Sequence, residues 1–475
     1  MNLDISIKFI CNENLVTTSL HPAITVLDFL RKHLHLTGTK EACREGDCGA
    51  CTILAGELIN GELKYKSVNS CLLPLGKING KHIVTIEGLN LKELNPIQSS
   101  IIEEGGTQCG FCTPGFIMSI TGYLLNANQF NIEDLISSLD GNICRCTGYA
   151  SIKRAAQNTI DILKNGNNKN SLEFLVSQSI LPEYFLQIHD RLKILESEGN
   201  NIEDEMENKA VIISGGTDLF VQKPDEILDY NVTIIHKDKK DKVIWNEGNV
   251  CFIHASATIS DIKDSPILKN IFPDIGKYFG LFGSLPIRNS ATIGGNIVNA
   301  SPIGDSTIFF LALNSKLHLK DKNLLREVML KDFYKGYKNM ELKDDERLEY
   351  ISFNIPKEKF YINFEKVSRR TNLDIASVNS AIFLTVNNNL IEDIKISAGG
   401  VSPVPMLLEK TAAFLKEKEI SNENVLSASS IAQTEISPIS DVRGSAEYKS
   451  LLLRHILYSH FLKMFPEIIN AEELV

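Results

Sequence analysis

The sequence contains no run of eighteen apolar residues, so no stretch reads as spanning a membrane. Residues 1–30 show no basic start followed by an apolar stretch and a small-residue cleavage site, so no export signal is read there, and a disulfide framework would lack its oxidising compartment. Surplus positive charge is missing as well. With 49 Lys and Arg against 59 Asp and Glu the formal net charge is −10, which argues against a nucleic-acid surface. The lysines from His236 to Lys242 are interleaved with aspartates and read as a solvated loop. No G-x-G-x-x-G lies near the glycine-rich strand ends, which removes a Rossmann reading. What remains is a chain of 475 residues, 43% hydrophobic and 23% charged, with room for two to four domains.

Cysteine placement carries the most information. Of ten cysteines, eight lie between Cys43 and Cys146, while Cys11 and Cys251 sit in apolar alternating stretches that suit buried free thiols. A reducing, cytoplasmic setting follows as the default. Cys43, Cys48 and Cys51 show the C-x4-C-x2-C spacing of a plant-type [2Fe–2S] site, and Cys71 supplies the fourth thiolate. Glycines 46 and 49 fit a loop that turns tightly around a cluster and aims N–H groups inward. Structural zinc favours two C-x2–4-C pairs, and this set has three cysteines within nine residues. Around the loop, residues 3–10 alternate as a strand, Val26–Leu34 reads as a helix capped by Thr25, and Thr52–Ala55 and Leu63–Val68 read as strands flanking a Gly56–Gly61 turn.

A second set follows in Gln108-Cys109-Gly-Phe-Cys112-Thr-Pro114-Gly and Cys144-Arg-Cys146-Thr-Gly-Tyr149. Pro114 suits the first turn of a helix over the apolar run Phe116–Leu125, and Ile132–Leu139 also looks helical. In isolation this set also fits zinc. Its position beside the first motif favours a second [2Fe–2S] cluster.

Residues 164–170 read as a linker, and a polar, acidic stretch occupies 196–209. The apolar strand Ala210–Ser214 enters Gly215-Gly216-Thr217-Asp218, and a second small-residue stretch runs from Leu285 through Thr292-Ile293-Gly294-Gly295-Asn296 to Asp305. Backbone bared by glycine can approach a phosphate, and Asp305 can accept from a ribose hydroxyl. Each stretch on its own also fits an ordinary turn.

Together these motifs resemble the xanthine dehydrogenase family of molybdenum hydroxylases, from residue 3 to about 465. The resemblance implies an α+β multidomain chain: a plant-type, β-grasp [2Fe–2S] ferredoxin-like domain (1–78), a four-helix-bundle [2Fe–2S] domain (79–163), a linker and flavin-domain start (164–209), an α+β FAD-binding domain of vanillyl-alcohol-oxidase or PCMH type (172–355), and a C-terminal flavoprotein subdomain (356–470). It implies FAD contacts at Ile212, Ile213, Ser214, Gly215, Gly216, Thr217, Asp218, Leu219, Phe282, Thr292, Ile293, Gly294, Gly295, Asn296, Asp305, Leu348 and Lys366. Gln108 is implied to lie near a molybdopterin on a partner chain.

The resemblance further implies a small subunit without substrate-activating residues, paired with a molybdopterin-binding large subunit as a heterotetramer of two plus two, with NAD⁺ as acceptor. The expected relay runs from a purine at the partner's molybdenum through the second cluster and the first cluster to FAD. Other readings stay open: the equivalent subunit of an aldehyde or carbon monoxide oxidising relative, a stand-alone iron–sulfur flavoprotein carrier, and a zinc-bearing scaffold. The final segment, Val442–Leu462, is expected to open a packing helix at Val442.

Overall fold

The computed structural model describes residues 6–164, 171–197, 210–236, 242–321 and 324–474. The expected linker at 165–170, most of the acidic stretch (198–209) and residues 3–5 and 237–241 lie outside them. The described residues form two compact units, one of residues up to 236 together with 284–291, the other of 242–283 and 292–474.

In the first unit, strands β1 (Ile7–Cys11), β2 (Asn14–Thr18), β3 (Thr52–Ile59), β4 (Glu62–Asn69) and β5 (His82–Val84) form a sheet in the order β2-β1-β5-β3-β4. Helix α1 (Val26–Lys32) starts where Thr25 accepts the Asp28 N–H at 3.2 Å, as its cap position predicts. Phe9 meets Phe29 edge-on at 5.8 Å in the core beneath α1. Two expectations are corrected. The 56–61 turn shrinks to Asn60-Gly61, both with positive φ, because this pair closes a two-residue hairpin unaided. The ferredoxin sheet also extends past residue 78, since β5 is its central strand; three residues are too short to show an alternation.

Four helices follow: α2 (Pro96–Glu103), α3 (Thr113–Asn126), α4 (Ile132–Ser138) and α5 (Ala150–Lys164). Asn95 and Gln98 form a capping box at α2, and Asn131 caps α4. The bundle core is Ile97, Ile101, Phe116, Ile120, Leu124, Leu135, Ile152, Ala156 and Ile160, at the three- and four-residue spacing of helices that bury one stripe. Helices α6 (Leu172–Ser177) and α7 (Phe185–Ser197), expected at the start of the flavin domain, pack in the first unit: Ile188, Leu192 and Leu195 of α7 cover Ile10 and Leu58 of the ferredoxin sheet. The short parallel pair β6 (Val211–Ile213) and β7 (Val232–Ile234) completes this unit.

The second unit holds an antiparallel sheet of β8 (Ile244–Glu247), β9 (Val250–His254), β10 (Lys316–Lys320), β11 (Leu325–Met329) and, after the small hairpin β12 (Tyr334–Gly336) and β13 (Asn339–Met340), β14 (Arg347–Asn354), in the order β11-β10-β14-β9-β8. A second antiparallel sheet, β15 (Phe360–Val367), β16 (Val378–Asn387), β17 (Leu390–Gly399) and β18 (Met406–Leu407), is covered by helices Glu409–Leu415, Asn422–Ala432 and Ala446–Met464. The last helix starts at Ala446, where Ser445 caps Tyr448 at 3.1 Å, and not at Val442 as expected. Asp441 to Gly444 form a closed turn instead, which uses the N–H groups a helix would need.

Candidate functional site

The first cysteine loop joins α1 to β3. Arg44, Gly46 and Gly49 take φ of 56°, 78° and 68°, and the curl lets the Glu45 N–H donate to Cys43 Sγ at 3.4 Å. Arg44 tolerates the left-handed position while its guanidinium is held by Asp28 at 2.8 Å and Glu41 at 2.6 Å. The four thiols meet as two pairs, Cys43 with Cys48 and Cys51 with Cys71. In each pair one sulfur stabilises the other as thiolate: the Cys48 thiol draws Cys43 down to about 5, and Cys71 lowers Cys51. Their partners Cys48 and Cys71 are pushed up by the same contacts.

The second loop sits at the start of α3. Cys146 Sγ lies 3.6 Å from Cys109 Sγ, and Cys112 is paired with Cys144. Burial opposes ionisation of Cys144, yet the Thr147 hydroxyl at 3.2 Å and the N–H groups of Thr147 and Cys146 hold it down at about 7. The Cys109 thiol is lowered by the Phe111 N–H and then by Cys146, and burial raises Cys112 to about 12. Cys109, Cys146 and Gln108 are exposed, as are Phe111 (44%) and Tyr149 (37%).

In each set the sulfurs pair two by two, and two pairs of thiols fit two irons with two cysteine ligands each. All ten cysteines are free thiols, and Cys11 and Cys251 are buried, as their apolar surroundings predict.

The two loops are bonded to each other. The Ile143 N–H donates to Cys48 O at 3.0 Å, and Asn142 Nδ2 reaches Gly49 O at 3.2 Å while its Oδ1 accepts from Ser119 at 2.7 Å. A side-chain carbon at Gly49 would lie 2.3 Å from Gly141 O, and one at Gly115 would lie 2.2 Å from Gly49 O. The glycines here are demanded by backbone contact as well as by φ. Asn142 was legible only as part of the Cys-x-Cys wording, and its role between loops was missed.

Of the expected flavin contacts, Ile212 through Leu219 belong to the first unit. Gly216 has φ of 78°, a side-chain carbon at Gly215 would lie 2.4 Å from Ser290 O, and the buried Ser214 Oγ has no hydrogen-bond partner among the described residues. An orphaned hydroxyl beside bare backbone fits a polar ligand that would satisfy it.

Phe282, Thr292, Ile293, Gly294, Gly295, Asn296, Asp305, Leu348 and Lys366 belong to the second unit. Thr292 caps the helix Ile293–Val298 through the Gly295 N–H, Gly294 donates to Ala255 O at 2.9 Å, and Asn296 accepts from Ser306 at 2.5 Å. Leu348 lies in β14, and Phe282 stacks on Phe279 at 5.9 Å. Lys366 is no surface lysine: at 3% exposure it donates to Asp305 Oδ2 at 2.8 Å and Leu281 O at 2.9 Å. Asn379 takes the other Asp305 oxygen at 2.5 Å. Both Asp305 oxygens already carry a donor, which leaves their remaining lone pairs for a ribose hydroxyl. Asn379 gave no sequence signal, standing 74 residues from Asp305 in an apolar strand.

Four family models match the chain. Residues 9–75 match the model of a 2Fe-2S iron-sulfur cluster binding domain and 85–157 that of a [2Fe-2S] binding domain. Residues 188–358 match the FAD binding domain in molybdopterin dehydrogenase, and 363–464 the CO dehydrogenase flavoprotein C-terminal domain. The chain is similar to xanthine dehydrogenase/oxidase of Rattus norvegicus, 28% identical over 99% of this chain and 40% of that protein. It is also similar to aldehyde oxidase 1 of Macaca fascicularis, 27% identical over 96% of this chain and 39% of that one. It thus spans about two-fifths of the length of these relatives. A chain of the carbon monoxide dehydrogenase of Hydrogenophaga pseudoflava shares the fold over 56% of this chain and 92% of its own, with 23% identity and a TM-score of 0.53.

Proposed function

We propose that this chain, which matches two 2Fe-2S models, the FAD binding domain in molybdopterin dehydrogenase and the CO dehydrogenase flavoprotein C-terminal domain, is the electron-transfer subunit of a cytoplasmic purine hydroxylase of xanthine dehydrogenase type. Its partner would be a large subunit carrying molybdopterin, in a two-plus-two heterotetramer, with NAD⁺ as final acceptor. The carrying observation is the pairing of eight thiols into two sets whose loops are joined by the Ile143–Cys48 hydrogen bond.

Cys43, Cys48, Cys51 and Cys71 would hold one [2Fe–2S] cluster, and Cys109, Cys112, Cys144 and Cys146 the other. FAD would take Ile212–Leu219, Phe282, Thr292–Asn296, Asp305, Leu348 and Lys366. Bound there, the clusters supply one-electron steps and the flavin the conversion of single electrons to a hydride. The chain's own residues place and tune. N–H groups of residues 45 and 147 stabilise anionic sulfur, and the buried Lys366–Asp305 pair fixes a cation that Asn379 keeps in register.

The exposed Phe111 and Tyr149 beside Cys109 and Cys146 favour a partner on this face over a stand-alone carrier, whose corresponding face would be polar. The purine assignment has a rival of another substrate: the aldehyde oxidase relative is as similar as the xanthine dehydrogenase one. Purified complex supplied with NAD⁺ and xanthine is expected to form NADH. NADH appearing only with aldehydes would overturn the purine reading, and reduction of O₂ alone would overturn the NAD⁺ step.

A further inference from the structure

The segment Ser284–Ala291 leaves the sequence neighbourhood of the second unit and lies in the first. There six consecutive residues, 285–290, touch five others. Arg288 forms an ion pair with Asp140 at 2.6 Å, both side chains being 6% exposed, and the Leu285 N–H donates to the other oxygen of Asp140 at 2.7 Å. Ile287 and Pro286 crowd the loop glycines: a side-chain carbon at Gly46 would lie 2.6 Å from Ile287 Cδ1, and one at Gly141 would lie 2.9 Å from Pro286 Cδ. Asn289 donates to Ser67 O at 2.9 Å, and Ser290 O lies against Gly215.

The segment therefore presses on the first cysteine loop at Gly46 and on the second at Asp140-Gly141, on either side of the Ile143–Cys48 hydrogen bond. We propose that Ser284–Ala291 is a strap that fixes the spacing of the two cysteine loops, with Asp140 and Arg288 as positioning residues. The inference rests on the relay reading above. A core contact for stability alone would need only apolar burial. A desolvated ion pair is a costly means of stabilising a fold, and its directional bonds define a register that apolar side chains do not. With both clusters bound, the step so positioned would move one electron from the cluster held by the Cys109 set to that held by the Cys43 set, with no bond made or broken.

The test uses the full chain, with Asp140→Asn and the double variant Asp140→Asn with Arg288→Met. The single variant strands a buried guanidinium and loses thermal stability; the double variant removes both charges and recovers much of it. Two readouts are followed in each: amide hydrogen exchange at Ile143, and the magnetic interaction between the two reduced clusters by electron paramagnetic resonance. A strap predicts exchange at Ile143 at least about tenfold faster in both variants, since the clamp is gone even where stability returns, and a changed cluster–cluster splitting. A double variant that recovers its melting temperature while keeping the parent's exchange rate and splitting would overturn the proposal. Protein without iron would overturn the relay reading and leave the exchange arm readable.

Discussion

The two cysteine loops carry the same number of thiols and differ in what surrounds them. In the first, Cys51 and Cys71 are buried in an apolar cluster with Leu27, Leu72, Ile213 and Phe220, and Gly49 is pinned against Gly141 and Gly115. In the second, Cys109 and Cys146 are exposed beside Phe111 and Tyr149, and a side-chain carbon at Gly110 would meet nothing within 4 Å. One loop is enclosed by packed neighbours, and the other leaves two of its sulfurs exposed. A relay needs this asymmetry, because one end must hand on inside the chain while the other receives from outside.

The sharpest way to break the comparison is to remove one sulfur from each loop. Cys51→Ser is expected to lose half the iron and upwards of about 4 kcal/mol of stability, since the cluster is also a core element. Cys146→Ser is expected to lose half the iron too, yet to stay within about 1 kcal/mol, because the bundle core of Phe116, Ile120 and Ile160 stands without it. Iron analysis beside denaturant unfolding separates the two. Equal losses of stability would show that the second loop is as deeply built in as the first.

A smaller effect isolates the backbone. Gly49 and Gly110 both have left-handed φ, 68° and 79°. Gly110→Ala is expected to cost about 1 kcal/mol for conformation alone, and Gly49→Ala about 3 kcal/mol or more, because its new carbon would also displace Gly141 O. Unfolding midpoints of the two variants measure the difference, and equal midpoints would mean that the loops yield.

Much of this asymmetry was not written in the sequence. The cysteine spacings, Thr25, Pro114 and the alternation around them were legible because each is a local rule acting within about four residues. The sheet boundary was missed because β5 is three residues long, and the packing of α7 on the ferredoxin sheet was not legible because an amphipathic stripe says that it packs but not on what. The donors to Asp305 gave no signal because Lys366 and Asn379 reach it from 61 and 74 residues away. The same is true of Asp140 and Arg288, 148 residues apart, whose pairing is visible only in three dimensions.

The smallest change in stability bears on the exposed side of the comparison. Phe111 and Tyr149 stand in solvent, so replacing either with Ser removes little burial, and each variant is expected to unfold within about 0.5 kcal/mol of the parent. Tyr149 needs care, since its hydroxyl accepts from the Cys144 N–H at 3.1 Å, so Phe111→Ser is the cleaner probe. If this face docks a molybdopterin-bearing partner, Phe111 is an aromatic anchor at a contact centred on the exposed sulfurs, and its loss should weaken association about tenfold or more. Titration of the variant with the partner, with iron content and visible spectrum unchanged, measures that loss directly. Unaltered affinity would move the docking surface elsewhere and leave the exposed cysteines without an explanation.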